Sequence, residues 1–335
     1  MTSFRGLDVG EQGFGGMALA EVYGPADTEA SLATLHHAVD AGIRLIDTAD
    51  VYGGGSNEEL VGRLLKDRRD EVVLATKFGI LRTPDADGFR ARGDAAYPRQ
   101  AVQASLRRLG VDRIDLYYYH RVDPRVPIEE TVGALAELVR EGVIGHIGLS
   151  EVTASELERA NAVHPITAVQ SEWSIWSRDV EAQVIPTAAR LGVGFVAYSP
   201  LGRGFLASPV TELPEGDLRR NFPRFQEERL AANAPIGETV RRVAEAEGVT
   251  PAQLALAWLA ERGRALGVGV VPIPSTRRAE RIDENLAAAG IRLSAEALAA
   301  LEPLGALVTG DRARFVADIS QGRERAEAAD AAGNA

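Results

Sequence analysis

The chain contains no cysteine. That absence excludes disulfides, thiolate metal sites and a cysteine nucleophile. Histidine is scarce: of five, His36 and His37 are adjacent within a segment of helical period. Too few remain for the ligand cluster of a metal-dependent hydrolase, and no metal site is expected. No apolar run approaches the ~20 residues of a membrane span. The opening stretch "MTSFRGLDVGEQGFGGMALA" has no charged leader followed by a sustained apolar segment. A cytoplasmic protein without membrane association is expected. Net charge is -11 and the basic residues are scattered, so a nucleic-acid partner is not expected either. Lysine is nearly missing, with only Lys66 and Lys77 present.

What is present is the composition of a soluble globular protein, 335 residues with 45% hydrophobic and 25% charged. Short apolar runs alternate with longer segments of helical period up to about residue 290. Strands are expected over Gly13–Met17, Ile43–Asp47, Val72–Thr76, Ile114–Tyr119, Val143–Leu149, Ala168–Gln170, Val193–Ser199 and Val268–Pro272. Helices are expected over Thr28–Ala41, Asn57–Lys66, Pro98–Leu109, Ile128–Arg140, Ala154–Asn161, Asp179–Arg190, Pro251–Arg262 and Arg278–Ala289. Asp27 and Ser56 read as N-caps, Thr153 with Glu156 as a capping box, and Thr250 as the residue before a proline at the first helical position. Eight strand–helix units in a chain of this length fit a closed (β/α)8 TIM barrel, an α/β fold, better than an open doubly wound sheet. No dinucleotide fingerprint is present, because "GFGGMA" and "GRGFLA" break its spacing. A single domain spanning 1–335 is expected, with a frayed or disordered tail from about residue 320.

In such a barrel the active site collects at the C-terminal ends of the strands. Asp47 and Tyr52 follow the second strand in "IDTADVYGGGSNEELVG", Lys77 ends the third in "EVVLATKFG", and His120 ends the fourth in "IDLYYYHRVD". Lys66 sits among charges at a helix end and reads as a solvated cation. Lys77 follows an apolar strand, where an ammonium is costly unless paired or used. Taken together the four form an inventory for proton transfer to a carbonyl oxygen. Lys77 would stabilise the Tyr52 phenolate, Asp47 would hold the ammonium, and His120 would orient the carbonyl. No side chain delivers hydride, so a redox cofactor is required.

The runs "LIDTADVYGGGSNEELVGRLL", "VVLATKFG", "IDLYYYHR", "IGHIGLSE", "VQSEWSIWSRDVE", "FVAYSPLGRGFL" and "VPIPSTRRAERIDEN" resemble the aldo-keto reductase superfamily, in its order and spacing, over about residues 5 to 302. Within it, "YGPAD", "RDVE", "YSPLGRGFL" and "LRRNFPRFQEERLAAN" most resemble the monomer-type bacterial, plant and yeast reductases related to the potassium-channel beta subunits. The resemblance implies a (β/α)8 barrel with an N-terminal hairpin and long loops on the C-terminal face. It also implies NADP(H) bound without a Rossmann domain, and Tyr52 as general acid with Lys77, Asp47 and His120 around it.

The same resemblance assigns cofactor contacts. Ser150 and Gln170 would hold the nicotinamide carboxamide, and Trp173 would stack on its ring. The turn Ser199, Pro200, Leu201, Gly202, Arg203, Gly204 would wrap the pyrophosphate. Ser275, Thr276, Arg277 and Arg281 would meet the 2′-phosphate, and Glu284 and Asn285 the adenine. Guanidinium groups suit phosphate, so NADP(H) is expected over NAD(H). Arg278 reads as solvated.

Three long connections, 78–97, 200–236 and the tail after 303, are expected to shape the pocket mouth. Trp173, Trp176, Tyr23 and Tyr119 either line that mouth or pack in the core. The activity expected is reduction of an aldehyde or ketone, a small-molecule carbonyl substrate whose identity the sequence leaves open. A second reading is a non-catalytic NADP(H)-binding subunit that reports redox state to a partner, and an intact catalytic set is compatible with both.

Overall fold

The computed structural model of the protein describes residues 2–83, 89–210 and 212–333. All eight expected strands are present: β1 (Phe14–Gly15), β2 (Leu45–Asp47), β3 (Val73–Phe78), β4 (Ile114–Tyr119), β5 (Ile144–Ser150), β6 (Ala168–Glu172), β7 (Gly194–Tyr198) and β8 (Val270–Pro272). Neighbours pair in parallel in chain order. The N–H groups of Gly13 and Gly15 donate to the carbonyls of Pro272 and Pro274 at 3.0 and 3.3 Å, which brings the last strand back to the first.

Helices cover the outside: α1 (Thr28–Asp40), α2 (Ser56–Arg68), α3 (Tyr97–Leu109), α4 (Ile128–Arg140), α5 (Ala154–Val163), α6 (Val184–Leu191), α7 (Glu227–Glu247), α8 (Pro251–Ala265), α9 (Ala279–Leu286), α10 (Ala295–Leu301) and α11 (Ser320–Gly333). The start signals at Asp27, Thr153 and Thr250 act as expected, the last two as full capping boxes with Glu156 and Gln253. Ser56 does not cap. Gly55 precedes α2 and Ser56 is its first residue, because the turn from Tyr52 runs straight into the helix. The helix expected from Asp179 is split into a 3-10 turn, Asp179–Glu181, and α6. Pro186 has no N–H to extend the first turn of α6 backwards.

Helices α7 and α10 were not anticipated. α7 grows out of the long 200–236 connection, α10 follows α9, and in the tail residues 320–333 form α11. α11 lies across the N-terminus of α5. Glu327 accepts from the hydroxyls of Thr153 and Ser155 at 2.9 Å each, and Arg323 pairs with Glu156 at 2.9 Å. The 78–97 connection carries an antiparallel pair, Ile80–Arg82 with Phe89–Ala91; residues 84–88 between them lie outside the described residues.

Strand side chains alternate in direction. Leu45, Ala75, Leu116, Tyr118, Ala168, Val196 and Val271 fill the barrel interior, while Ile46, Leu74, Phe78, Tyr117, Leu149, Val169 and Phe195 pack against the helices. The expected N-terminal hairpin, Ser3–Phe4 against Leu7–Asp8, lies under the barrel and inserts Phe4 into the interior cluster. A Cβ at position 194 would fall 2.2 Å from the Phe4 ring, so glycine there is what admits the plug. Phe4→Ala is expected to lower the unfolding free energy by about 3 kcal/mol, measured by urea denaturation. An unchanged midpoint would mean that the hairpin does not close the barrel floor.

Candidate active site

The alternation that fills the barrel also selects what its C-terminal rim presents. Asp47 continues the inward series from Leu45, Lys77 from Ala75, His120 from Tyr118, Gln170 from Ala168 and Tyr198 from Val196. The four expected catalytic residues are together. Lys77 is fully buried; its ammonium donates to one Asp47 oxygen and, at 2.8 Å, to the Thr48 carbonyl. It lies 5.2 Å from the centroid of the Tyr52 ring. Gln170 Nε2 donates to the other Asp47 oxygen at 2.9 Å. His120 meets Tyr52 edge to face with ring centroids 6.0 Å apart.

Electrostatics follow from this geometry. Burial works against the Lys77 charge, but Asp47 and then Tyr52 outweigh it and hold the ammonium above its ordinary range. Burial pushes the Tyr52 phenol up, and Lys77 pulls it back only in part. Lys77 thus exerts an opposing pull that burial exceeds. His120 is held well below its ordinary 6.5 by burial, with Arg121 and Lys77 adding to the effect, so the ring is neutral. Its Nδ1 is buried without a partner. Asp50, two residues before Tyr52, is pushed up to about 7 by burial and by the nearby Glu58.

The loop that carries Tyr52 is fixed from below. Gly53, Gly54 and Gly55 take φ values of 59°, 68° and 104°, conformations that side chains resist. Past them, Asn57 accepts from the Thr48 hydroxyl at 2.7 Å and donates to the Gly16 carbonyl at 3.0 Å. Glu58 accepts from Thr76 at 2.6 Å and from Arg108 at 2.7 Å. The first turn of α2 thus ties β1, β2, β3 and α3 around the Tyr52 loop.

Sequence reasoning missed several rim residues. Arg121 donates through Nη1 to the His120 carbonyl at 2.6 Å and to Ser150 Oγ at 3.2 Å. Glu151, fully buried beside Ser150, accepts from Tyr198 at 2.8 Å and from both terminal nitrogens of Arg312 at 2.9 Å. Arg312, itself 2% exposed, also reaches Asp179 and Ser320. Glu172, the next inward residue of β6, accepts from Ser177 at 2.6 Å and faces Arg203 at 3.5 Å. Position in the alternating series was a usable signal for Glu172 and Tyr198. Arg312 gave none, since its carboxylate partners are more than 130 residues away.

Trp173 requires a correction. It stands an odd number of residues from Gln170 and turns outward, fully buried against Phe195 and Trp258, with its indole N–H on Glu181 at 2.9 Å. It does not reach the rim. Tyr119 is also on the outer face, stacked on Phe78, while Trp176 stacks on Phe205 and Tyr23 neighbours Arg203.

The remaining cofactor candidates divide similarly. Ser150 is buried at the end of β5, and its own hydroxyl proton has no acceptor among the described residues. Ser199 to Gly204 form a tight turn in which Ser199 and Arg203 take φ of 49° and 55° beside Gly202 and Gly204 at 58° and 94°. Pro200 is buried there, and Leu201 packs against the outer core. A turn of this kind suits an anion approached by backbone N–H groups. Ser275 is committed to Gly15 and Ala18. Arg277 spends three donors on the carbonyls of Ala18, Pro25 and Gly24, each at 2.8 Å, and so clamps the 18–25 loop. All three of its guanidinium nitrogens are thus engaged by that loop. Thr276 accepts from the Arg278 N–H at 3.2 Å, Arg281 is about half exposed and paired with Glu284, and Asn285 is buried in α9. The free hydroxyl of Ser150, the Ser199–Gly204 turn and the exposed Arg281 fit a nicotinamide dinucleotide laid across the rim.

Comparison with known proteins agrees with this architecture. A profile of the Aldo/keto reductase family matches residues 12–306. The glycerol dehydrogenase AKR11B4 from Gluconobacter oxydans superposes with a TM-score of 0.79 at 28% identity, over 90% of this chain and 93% of that one. The holo form of the aldo-keto reductase AKR11C1 from Bacillus halodurans gives 0.72 at 28% identity, over 92% and 95%. An aldo/keto reductase from Klebsiella pneumoniae, solved in complex with NADP and acetate, gives 0.69 at 28% identity, over 93% and 97%. With the family profile spanning most of its length and the barrel rim assembled as described, the chain belongs to the aldo/keto reductase family.

Proposed function

We propose that the protein reduces an aldehyde or ketone to the alcohol with NADPH, reversibly, with Tyr52 as the general acid. The observation that carries this reading is the fully buried Lys77, held by Asp47 and Thr48 and facing Tyr52. When bound, NADPH supplies the hydride. Tyr52 donates the proton to the carbonyl oxygen, and the Lys77 ammonium stabilises the phenolate left behind. Asp47 keeps Lys77 charged and in place, with Gln170 fixing the second carboxylate oxygen. Neutral His120 orients the carbonyl by a hydrogen bond rather than by charge. Ser150 and Gln170 would hold the carboxamide, and Tyr198, on the inward face of β7, would take the stacking role in place of the outward-facing Trp173.

Tyr52→Phe is expected to cut turnover by about 10²–10⁴-fold while NADPH binding, followed by tryptophan quenching, is retained; surviving turnover would remove Tyr52 from the acid role. Binding of NADPH without its oxidation by any of a broad panel of carbonyls would favour the redox-sensing alternative. Lys77→Met should be nearly as damaging.

The pH response has a definite sign. Reduction needs the protonated phenol, which burial keeps above its ordinary 10, so its rate is expected to be flat through neutrality and to fall only in alkali. Alcohol oxidation needs the phenolate and is expected to rise with pH. The comparison is best made in Asp50→Asn, which removes the carboxyl that titrates near 7. A reduction rate that falls through neutrality in that variant would contradict the assignment.

For the cofactor, Arg281→Ala is expected to weaken NADPH about tenfold with NADH little affected. Arg277→Ala should instead lower the melting temperature, since three carbonyls lose their donor. A selective NADPH loss in Arg277→Ala with unchanged stability would reverse the two roles.

A further inference from the structure

The buried and half-buried cations around the rim are nearly all matched by carboxylates. Lys77 has Asp47, Arg203 and Arg224 share Glu172, and Arg312 has Glu151 and Asp179. Arg277 gives its donors to three backbone carbonyls instead, and Arg121 has no carboxylate at ion-pair distance among the described residues, although its charge acts on Glu151. Its guanidinium is partly buried, and its contacts are the His120 carbonyl and the Ser150 hydroxyl, both through Nη1. Nε and Nη2 have no acceptor among the described residues. With Glu151 acting on it only from beyond ion-pair distance, a guanidinium folded back over its own strand end keeps an unfilled hydrogen-bonding requirement at these two nitrogens. An anion in the site would meet it.

The place of Arg121 argues against the cofactor's phosphates as that anion. Arg203 stands at the turn suited to the pyrophosphate, after β7, and Arg281 stands at the far phosphate position, after β8. Arg121 follows β4, next to the residue that orients the carbonyl, with its Nη1 between the His120 carbonyl and the Ser150 hydroxyl. We infer that Arg121 binds a carboxylate on the substrate, so that the compounds turned over here are oxo acids rather than neutral aldehydes or ketones. This inference rests on the reductase reading for its turnover test and on direct binding for its independent one.

The matched probes are 4-oxobutanoate and butanal, which share a chain and an aldehyde and differ in the carboxylate. The wild-type enzyme is expected to favour 4-oxobutanoate in kcat/KM. Arg121→Gln is expected to collapse that preference ratio by roughly tenfold to hundredfold, and Arg121→Lys to restore part of it. Calorimetry of butanoate with the NADP-saturated protein should show the same weakening, with NADPH affinity measured separately for each variant. A wild-type ratio at or below unity, or an equal ratio in all three proteins, overturns the inference. So does a fall in NADPH affinity large enough to account for the loss, which would return Arg121 to the cofactor. Butanoate bound through Arg121 with no carbonyl reduced would sink the reductase reading and keep the anion site. Neither turnover nor butanoate binding would end both.

Discussion

An ammonium sealed from water must be matched where it lies, and Lys77 imposes that demand on everything around it. The Coulombic partner has to be Asp47, because β2 and β3 are paired with Asp47 opposite Ala75, two residues before Lys77 on the same inward face. Removing either partner of such a buried pair typically costs about 3–5 kcal/mol. The pair therefore fixes the end of β2, and the Thr48 carbonyl that completes its coordination fixes the first step of the loop beyond. Tyr52 sits where it does because that loop has little freedom left. Its start is bound to Lys77, and its end is held by Asn57 and Glu58 in the first turn of α2.

A second charged centre stands on the opposite side of the rim. Glu151 and Arg312 are both almost wholly buried, and they join the end of β5 to a segment far away in sequence. Burial works against the Glu151 charge, but Arg312, then Arg121 and the Tyr198 hydroxyl, hold its carboxyl well below the ordinary carboxylate range. The tail after α10 is consequently part of the site's architecture. Its helix reinforces the contact by laying Arg323 and Glu327 against the capping box of α5. A local device for starting a helix serves here as a landing point for a distant one.

Much of this was legible in the chain. Eight apolar runs spaced by amphipathic segments specify the barrel, because both periodicities are local and strong. Strand ends then point to Asp47, Lys77, His120, Ser150 and Gln170. Where the reading failed, the failure had a physical form. Trp173 was placed by its neighbourhood in a motif, although its odd separation from Gln170 turns it to the outer face. For Arg277, read as a phosphate ligand in a run of arginines, no local signal pointed to its bonds to three backbone carbonyls of a loop some 250 residues earlier. Arg312 and α11 depend on partners that no local pattern announces. The polar, alanine-rich tail orders because it docks, which composition alone does not reveal.

The two lysines differ completely in access. Lys77 is sealed, whereas Lys66 is exposed near the C-terminal end of α2, about 14 Å along the helix axis from Asn57 at the rim. Amine-directed reagents acting on lysine side chains thus find a single attachment point on the folded protein, displaced toward the barrel floor. Coupling to a surface through that side chain would orient every molecule alike, with the rim turned outward to solution.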